Sequence, residues 1–200
     1  KGAGHVDLYD RVDLIPFALA RVLAPSNRSG TVAIVECGGN TTTVVIVTDG
    51  VPKFVRIVPT GGDDITRLLA GRLTIDEGAA EAVKRHLGMD QERARTGDDA
   101  LAVAAVRETM GELLSSLRNT VNYFVNTHAA EPVGEILLCG AAAALPGFAA
   151  ALSEFTRTPV RFGAPFANVA LAKSIRVEDL HAHGASIAVA WGLAAGGKAA

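Results

Sequence analysis

The 200-residue sequence holds two cysteines, Cys37 and Cys139, each within an apolar run and far apart along the chain. That sparseness and spacing suit reduced, buried thiols in a cytoplasmic protein better than a disulfide framework or a zinc motif. The formal net charge is −2 and no basic stripe is present, which argues against nucleic acid or an anionic membrane as the main partner. No uninterrupted apolar stretch is long enough to span a bilayer, and the first residues lack the charged-then-apolar order of a signal peptide. Membrane contact is therefore expected to be indirect, without insertion. There is no Walker A sequence, and Gly2-Ala3-Gly4 lacks the third glycine of a dinucleotide fingerprint. No histidine lies in a motif that orients it toward a nucleophile, so no Ser–His–Asp or Cys–His set emerges. His181 and His183 would need further metal ligands that their neighbourhood does not supply, and they read as part of a solvated loop.

What is present is a chain 49% hydrophobic, ample for a packed core in one large domain or two small ones. It begins at Lys1, and "KGAGHVDLYD" reads as the middle of an element, so a fragment of a longer protein is expected. "VDLIPFALARVL" predicts a short helix with Asp13 as N-cap and Pro16 in its first turn. Residues 31–36, 42–48 and 53–58 predict an antiparallel meander with "DGVP" as its second turn. "DDITRLLAGRL" and "IDEGAAEAVKRHLG" predict two helices, the second closed by Gly88. "MDQERARTGDD" reads as a mobile connection into a long helix, where Met110, Leu113, Leu114, Leu117, Val121, Phe124 and Val125 recur at helical spacing. "EILLCG", "LPGFAAALSEF" and "TPVRFG" predict a strand–helix–strand unit on the same core. "GASIAVAWGLAAGG" predicts a helix whose small residues allow close packing, expected against a domain outside this sequence.

Within "VECGGNTTTVVIV" two β-rich runs are separated by Gly38, Gly39 and Asn40. A glycine pair lets backbone N–H groups approach a ligand that a Cβ would keep away, and anions are the natural guests. The hydroxyls of Thr41, Thr42 and Thr43 could add donors, while a tight hairpin that binds nothing fits the same letters. Asp63 and Asp64 could form an acid–base pair, but after Gly61-Gly62 and before a helix they are better placed as caps.

The order of elements, from "VDLIPFALARVL" through "VECGGNTTTVVIVTDGVPKFVRIVPTGGDDIT", "AEAVKRHLG" and "LRNTVNYF" to "ILLCGAAAALPGF" and "AVAWGLA", resembles the actin-like ATPase superfamily. Within it the sequence is most similar to the type IV pilus assembly protein PilM family, with the cell-division FtsA family as a relative. The resemblance implies an α/β, ribonuclease H-like fold. It makes residues 1–30 a remnant of subdomain IA, 31–60 and 98–200 subdomain IIA with a terminal interdomain helix, and 61–97 subdomain IIB. It implies that Gly38, Gly39, Asn40 and Thr41 form the second phosphate-binding hairpin and that Gly61 and Gly62 form the glycine turn beside the nucleotide. Glu81 and Lys84 would meet ribose and base, and Gly140, Ala141 and Ala142 would form the adenosine loop. Without the resemblance, Glu81 and Lys84 read as an exposed helical ion pair worth about 0.3–0.5 kcal/mol.

The sequence departs from the family pattern at two points. Glu36 and Cys37 stand where relatives begin the hairpin with Asp, which displaces the carboxylate by about one methylene and shifts metal–water geometry. Ala141 stands where a second glycine is usual, which places a methyl against the purine and weakens affinity. The first phosphate loop and the acidic residue that helps hold magnesium lie upstream of Lys1 in the family. ATP and Mg²⁺ are thus expected in the full-length parent, with weak or absent binding and no appreciable turnover in these residues alone. The implied function is a cytoplasmic scaffold of type IV pilus assembly, working with other pilus machinery subunits. It would sit at the inner membrane through a PilN-like protein's tail, whose groove lies mostly in IA and IC. The alternatives are an active ATPase or sugar-kinase-like enzyme of the same superfamily, or FtsA-like division machinery. The last would call for an amphipathic C-terminal helix, which "AAGGKAA" does not offer.

Overall fold

β-Branched runs and two tight turns account for the sheet. A computed structural model describes residues 13–24, 29–128, 131–167, 169 and 184–196. Gly2-Ala3-Gly4, His181 and His183 lie outside the described residues. Strands β1 (Thr31–Cys37), β2 (Thr42–Thr48) and β3 (Val51–Val58) form the antiparallel meander. β4 (Val133–Cys139) then pairs parallel to β1, and β5 (Val160–Phe162) parallel to β4, giving the order β3-β2-β1-β4-β5. The β2–β3 turn contains only Asp49 and Gly50, both left-handed at φ 48° and 76°, the geometry that matches strand twist. β3 therefore starts at Val51, two residues earlier than the sequence suggests. Pro52 is tolerated because β3 is an edge strand and the register slips beside its partner Val47.

β1 is buried on both faces, so it reads as a continuous apolar run without alternation. Ala33, Val35, Cys37, Val44, Ile46, Ile136 and Leu138 face one core. That core is completed by α2 (Gly62–Leu73), α3 (Glu77–Leu87), α4 (Gly97–Thr127) and α5 (Phe148–Thr156). Val32, Ile34, Val45, Val47, Leu137 and Cys139 face the other, covered by α1 (Ile15–Leu23) and α6 (Ala188–Ala195). The two cysteines are free and buried, one in each core.

Four local expectations need correction. Leu14, not Asp13, is the N-cap of α1; the Asp13 carboxylate accepts the Leu14 N–H at 2.7 Å and pairs with Arg21 at 2.8 Å. The connection before α4 is structured: Asp90 accepts the Glu92 N–H, Arg93 donates to the His86 carbonyl, and Arg107 donates to that of Met89. Thr96 and Asp99 then start α4 with a reciprocal capping box. Val125 is only half-buried, although the rest of the long-helix stripe is core. Finally, α6 finds its partner inside the chain. A Cβ on Gly192 would stand 2.2 Å from the Ala18 carbonyl oxygen, so only glycine permits this approach to α1, and Arg21 caps the Gly192 carbonyl.

Candidate functional site

The hairpin between β1 and β2 is fixed by contacts at its tip. The Gly38 N–H closes the turn on the Thr41 carbonyl at 2.9 Å. The Gly38 and Gly39 carbonyls accept the first N–H groups of α2, from Gly62 at 2.9 Å and Asp63 at 2.8 Å. Those N–H groups have no partner inside their own helix, so the hairpin and the helix start satisfy each other. Gly61 permits this docking: a Cβ there would lie 2.2 Å from the Gly39 carbonyl oxygen and 2.8 Å from the Asn40 nitrogen. Of the two expected caps, only Asp64 acts as one, accepting the Gly61 N–H at 2.8 Å. Asp63 is exposed, with its carboxylate over Gly39. The N–H groups of Gly39 and Asn40 donate to no other described group.

On α3 the Asp76 cap and the alternation of Ala80, Lys84 and Leu87 turn one face inward against α2. Lys84 is buried, which corrects the reading of an exposed pair. Its ammonium donates to the Gly62 carbonyl at 3.0 Å and the Thr66 hydroxyl at 2.8 Å, and pairs with Glu81 at 2.5 Å. Glu81 also accepts from the Thr66 hydroxyl at 2.7 Å and from Arg85 at 2.7 Å. Burial pushes the Glu81 carboxyl up, but the hydrogen bonds from Lys84, Thr66 and Arg85 outweigh it and bring it down to about 2. Glu81 is thus a fixed anion with lone pairs left to accept from a ligand hydroxyl.

The third wall is the turn after β4. Gly140 has φ 97°, and a Cβ there would lie 2.3 Å from the Cys37 carbonyl oxygen, so its glycine serves β1–β4 packing first. Its N–H donates to the Ala185 carbonyl at 2.9 Å. Ala141 is exposed with its methyl on the cleft wall, and Ala142 approaches Gly62, whose Cβ would lie 3.0 Å from the Ala142 methyl. Hairpin, α2, α3 and this turn enclose a cleft of about 1510 Å³, extended by Phe162, Pro165 and Phe166.

Nine of the eleven residues singled out from the sequence line this cleft: Gly38, Gly39, Asn40, Gly62, Glu81, Lys84, Gly140, Ala141 and Ala142. Thr41, which is exposed, and Gly61 are not in the lining: the Thr41 carbonyl closes the hairpin turn and Gly61 lets the hairpin dock on α2. The Thr42 hydroxyl is no ligand donor, being committed to the Thr60 carbonyl at 2.8 Å and near the Cys37 sulfur at 3.4 Å. Thr66 and Arg85 were missed, although Arg85 stands four residues after Glu81 and Thr66 four after Gly62, each the spacing of one helix face. Glu36 points to the α1 side, beside Gly38, and burial raises its carboxyl. Burial likewise pushes the Cys37 thiol up to about 11 and Cys139 higher still.

N–H donors that no described residue engages, a fixed carboxylate and an apolar wall fit the phosphate, sugar and base of a nucleotide. The charged lining is balanced, with Asp63, Glu77 and Glu81 against Arg67, Lys84 and Arg85. Among the described residues no group of three or more His, Cys, Asp or Glu could hold a metal ion, and no helix is long and apolar enough to cross a membrane.

Comparison with known proteins places this geometry in a family. The family model for the type IV pilus assembly protein PilM matches residues 10–198. A solved PilM-PilN type IV pilus biogenesis complex superposes with a TM-score of 0.80 at 26% identity, covering 96% of this chain and 54% of that one. The cell division protein FtsA of Escherichia coli K12 is 27% identical over 169 residues, covering 72% of this chain and 40% of FtsA. An MreB of Spiroplasma citri bound to AMPPNP shares the fold, with a TM-score of 0.58 at 12% identity, over 90% of this chain and 56% of that one. The chain thus spans about two fifths of its curated relative and about half of these solved structures. It has the actin-like ATPase fold and belongs to the type IV pilus assembly protein PilM family.

Proposed function

We propose that the full-length parent is a cytoplasmic, nucleotide-binding scaffold of type IV pilus assembly, docked at the inner membrane through a PilN-like partner. The observation that carries the nucleotide reading is the pair of N–H groups, on Gly39 and Asn40, that no described group engages, in the lining of a cleft that also holds the Glu81 carboxylate. The hairpin donors would take phosphate, Glu81 the ribose hydroxyls, and the Ala141–Ala142 turn the base. Magnesium, where bound, would neutralise phosphate charge, with Asp63 the carboxylate nearest the hairpin tip. Residues 31–60 and 98–200 would make subdomain IIA, 61–97 IIB, and 1–30 the end of IA.

The PilN-like partner is supported by the likeness to PilM in its complex with PilN. The test is a pair of measurements on the full-length parent: steady-state phosphate release with ATP, and binding of a peptide copied from the PilN-like partner's cytoplasmic N-terminus. A scaffold binds the peptide and releases phosphate slowly. Fast turnover without peptide binding would make the protein an enzyme of the superfamily and sink the scaffold reading.

A further inference from the structure

Strand β3 ends the sheet, and among the described residues no further strand pairs with its outer side. The hydrogen-bond phase of the meander tells which of its groups are open. The Asp49 N–H bonds to the Gly30 carbonyl and the Gly38 N–H to that of Thr41, so the odd-numbered residues of β2 turn their backbone groups to β1. The even-numbered ones turn theirs to β3, where Thr42, Val44 and Ile46 stand opposite Val58, Arg56 and Phe54. The N–H and C=O groups of Val55 and Ile57 therefore point to the open edge. Their side chains are 45% and 63% exposed. On the other face Phe54 packs on Tyr123, with ring centroids 5.8 Å apart, and Tyr123 is itself exposed. Devices that keep an edge strand from pairing lie in the first half of β3: Pro52, and Lys53, which the register slip leaves without an opposite residue on β2. Residues 54–58 carry one charge, on Arg56, which donates to the Thr120 hydroxyl at 3.1 Å. Neither Lys53 nor Arg56 meets a carboxylate among the described residues.

We propose that the edge of β3 over residues 54–58 is a docking site for an extended segment of a partner protein, alternating apolar and acidic residues, that adds to the sheet as a further strand. The open groups of Val55 and Ile57 supply main-chain bonds, Val55, Ile57 and Tyr123 the apolar contacts, and Lys53 and Arg56 the preference for carboxylates. Charge decides against a second copy of this chain, because β3 paired with itself doubles the positive charge on one ribbon and brings no carboxylate to it. The inference stands apart from the nucleotide reading, since no residue of β3 lines the cleft.

The probe is a combinatorial set of fluorescent peptides the length of β3, with Glu at alternate positions and Val, Ile, Thr or Tyr between them, beside a matched set with Lys in place of Glu. Binding to the full-length parent is read by fluorescence anisotropy in wild type and in Val55→Pro, and hydrogen exchange is followed at the Val55 and Ile57 amides. Proline at position 55 removes an outward N–H and no bond to β2, so the variant should fold, with thermal melting as the check. The expected result is saturable binding of Glu peptides, weakened by about tenfold or more in the Lys set and again in Val55→Pro, with slower exchange at both amides in the bound wild type. No binding by any Glu peptide, equal binding by the Lys set, or equal binding to Val55→Pro overturns the proposal. So does protection of both amides before peptide is added, which would mean that another part of the parent covers the edge. Self-association of the wild type that Val55→Pro abolishes would assign the edge to a second copy and overturn it likewise. Should Val55→Pro fail to fold, the double variant Lys53→Glu, Arg56→Glu must reverse the preference between the two peptide sets, and an unchanged preference overturns the proposal.

Discussion

Gly61 and Gly39 touch through their backbones, with 2.2 Å between the position of a Cβ on Gly61 and the Gly39 carbonyl oxygen. Gly61 has φ −147°, which any residue adopts, so the constraint is the neighbour and not the dihedral. Gly61→Ala must push the hairpin off the start of α2 and break the bonds from Gly62 and Asp63 to its carbonyls. The expected cost is about 1–3 kcal/mol by denaturant unfolding, because backbone cannot yield as a flexible side chain can. Gly71→Ala, in α2 where a Cβ meets nothing within 4 Å, should be neutral or stabilising.

Glu81 and Glu36 should respond to pH with opposite signs. The Glu81 carboxyl is held down to about 2 when folded, so its bonds contribute stability above the ordinary carboxylate range that is lost as pH falls toward 2. Glu36 is raised by burial, so the folded state holds its proton more tightly and stability falls as pH rises through the carboxylate range. At pH 7 Glu81→Gln should therefore destabilise and Glu36→Gln stabilise, and both differences should shrink on acidification. Unfolding curves at pH 7 and pH 3 check both signs, and a stabilising Glu81→Gln would contradict the buried network.

Both thiols should be inert in the folded protein. Cys37 and Cys139 are buried, and burial keeps them protonated, with Cys37 at about 11, so little thiolate exists at pH 8. Labelling with a thiol reagent should proceed at the rate of unfolding. Rapid modification in native buffer, or an intramolecular disulfide by mass, would contradict their placement on opposite faces of the sheet.

Most strands are legible because β-branched runs leave few alternatives: Thr42–Thr48 keeps its expected bounds, and β1 gains only Cys37. Lys84 shows where sequence stops. Glu81 and Lys84 have the same spacing whether exposed or buried, and only α2 packing over α3 decides between them. The small residues of α6 announce close packing without naming the partner, since Arg21 and Gly192 meet across 171 positions. Asp63 and Asp64 are adjacent and chemically alike, yet only Asp64, at the third position of α2, can reach back to Gly61.

Gly39 offers the most direct test of the cleft. Its backbone lies outside the left-handed region, and the nearest atoms a Cβ there would meet are those of the exposed Asp63 carboxylate, at 2.8 Å, which can swing away. Gly39→Trp should therefore fold while placing an indole over the hairpin donors. The decisive measurement is a calorimetric titration of magnesium–ATP into the full-length parent, wild type beside Gly39→Trp. Saturable binding to the wild type and its loss in the folded variant is the expected result; no binding to the wild type, or equal affinity in both, would contradict a hairpin that holds the phosphates.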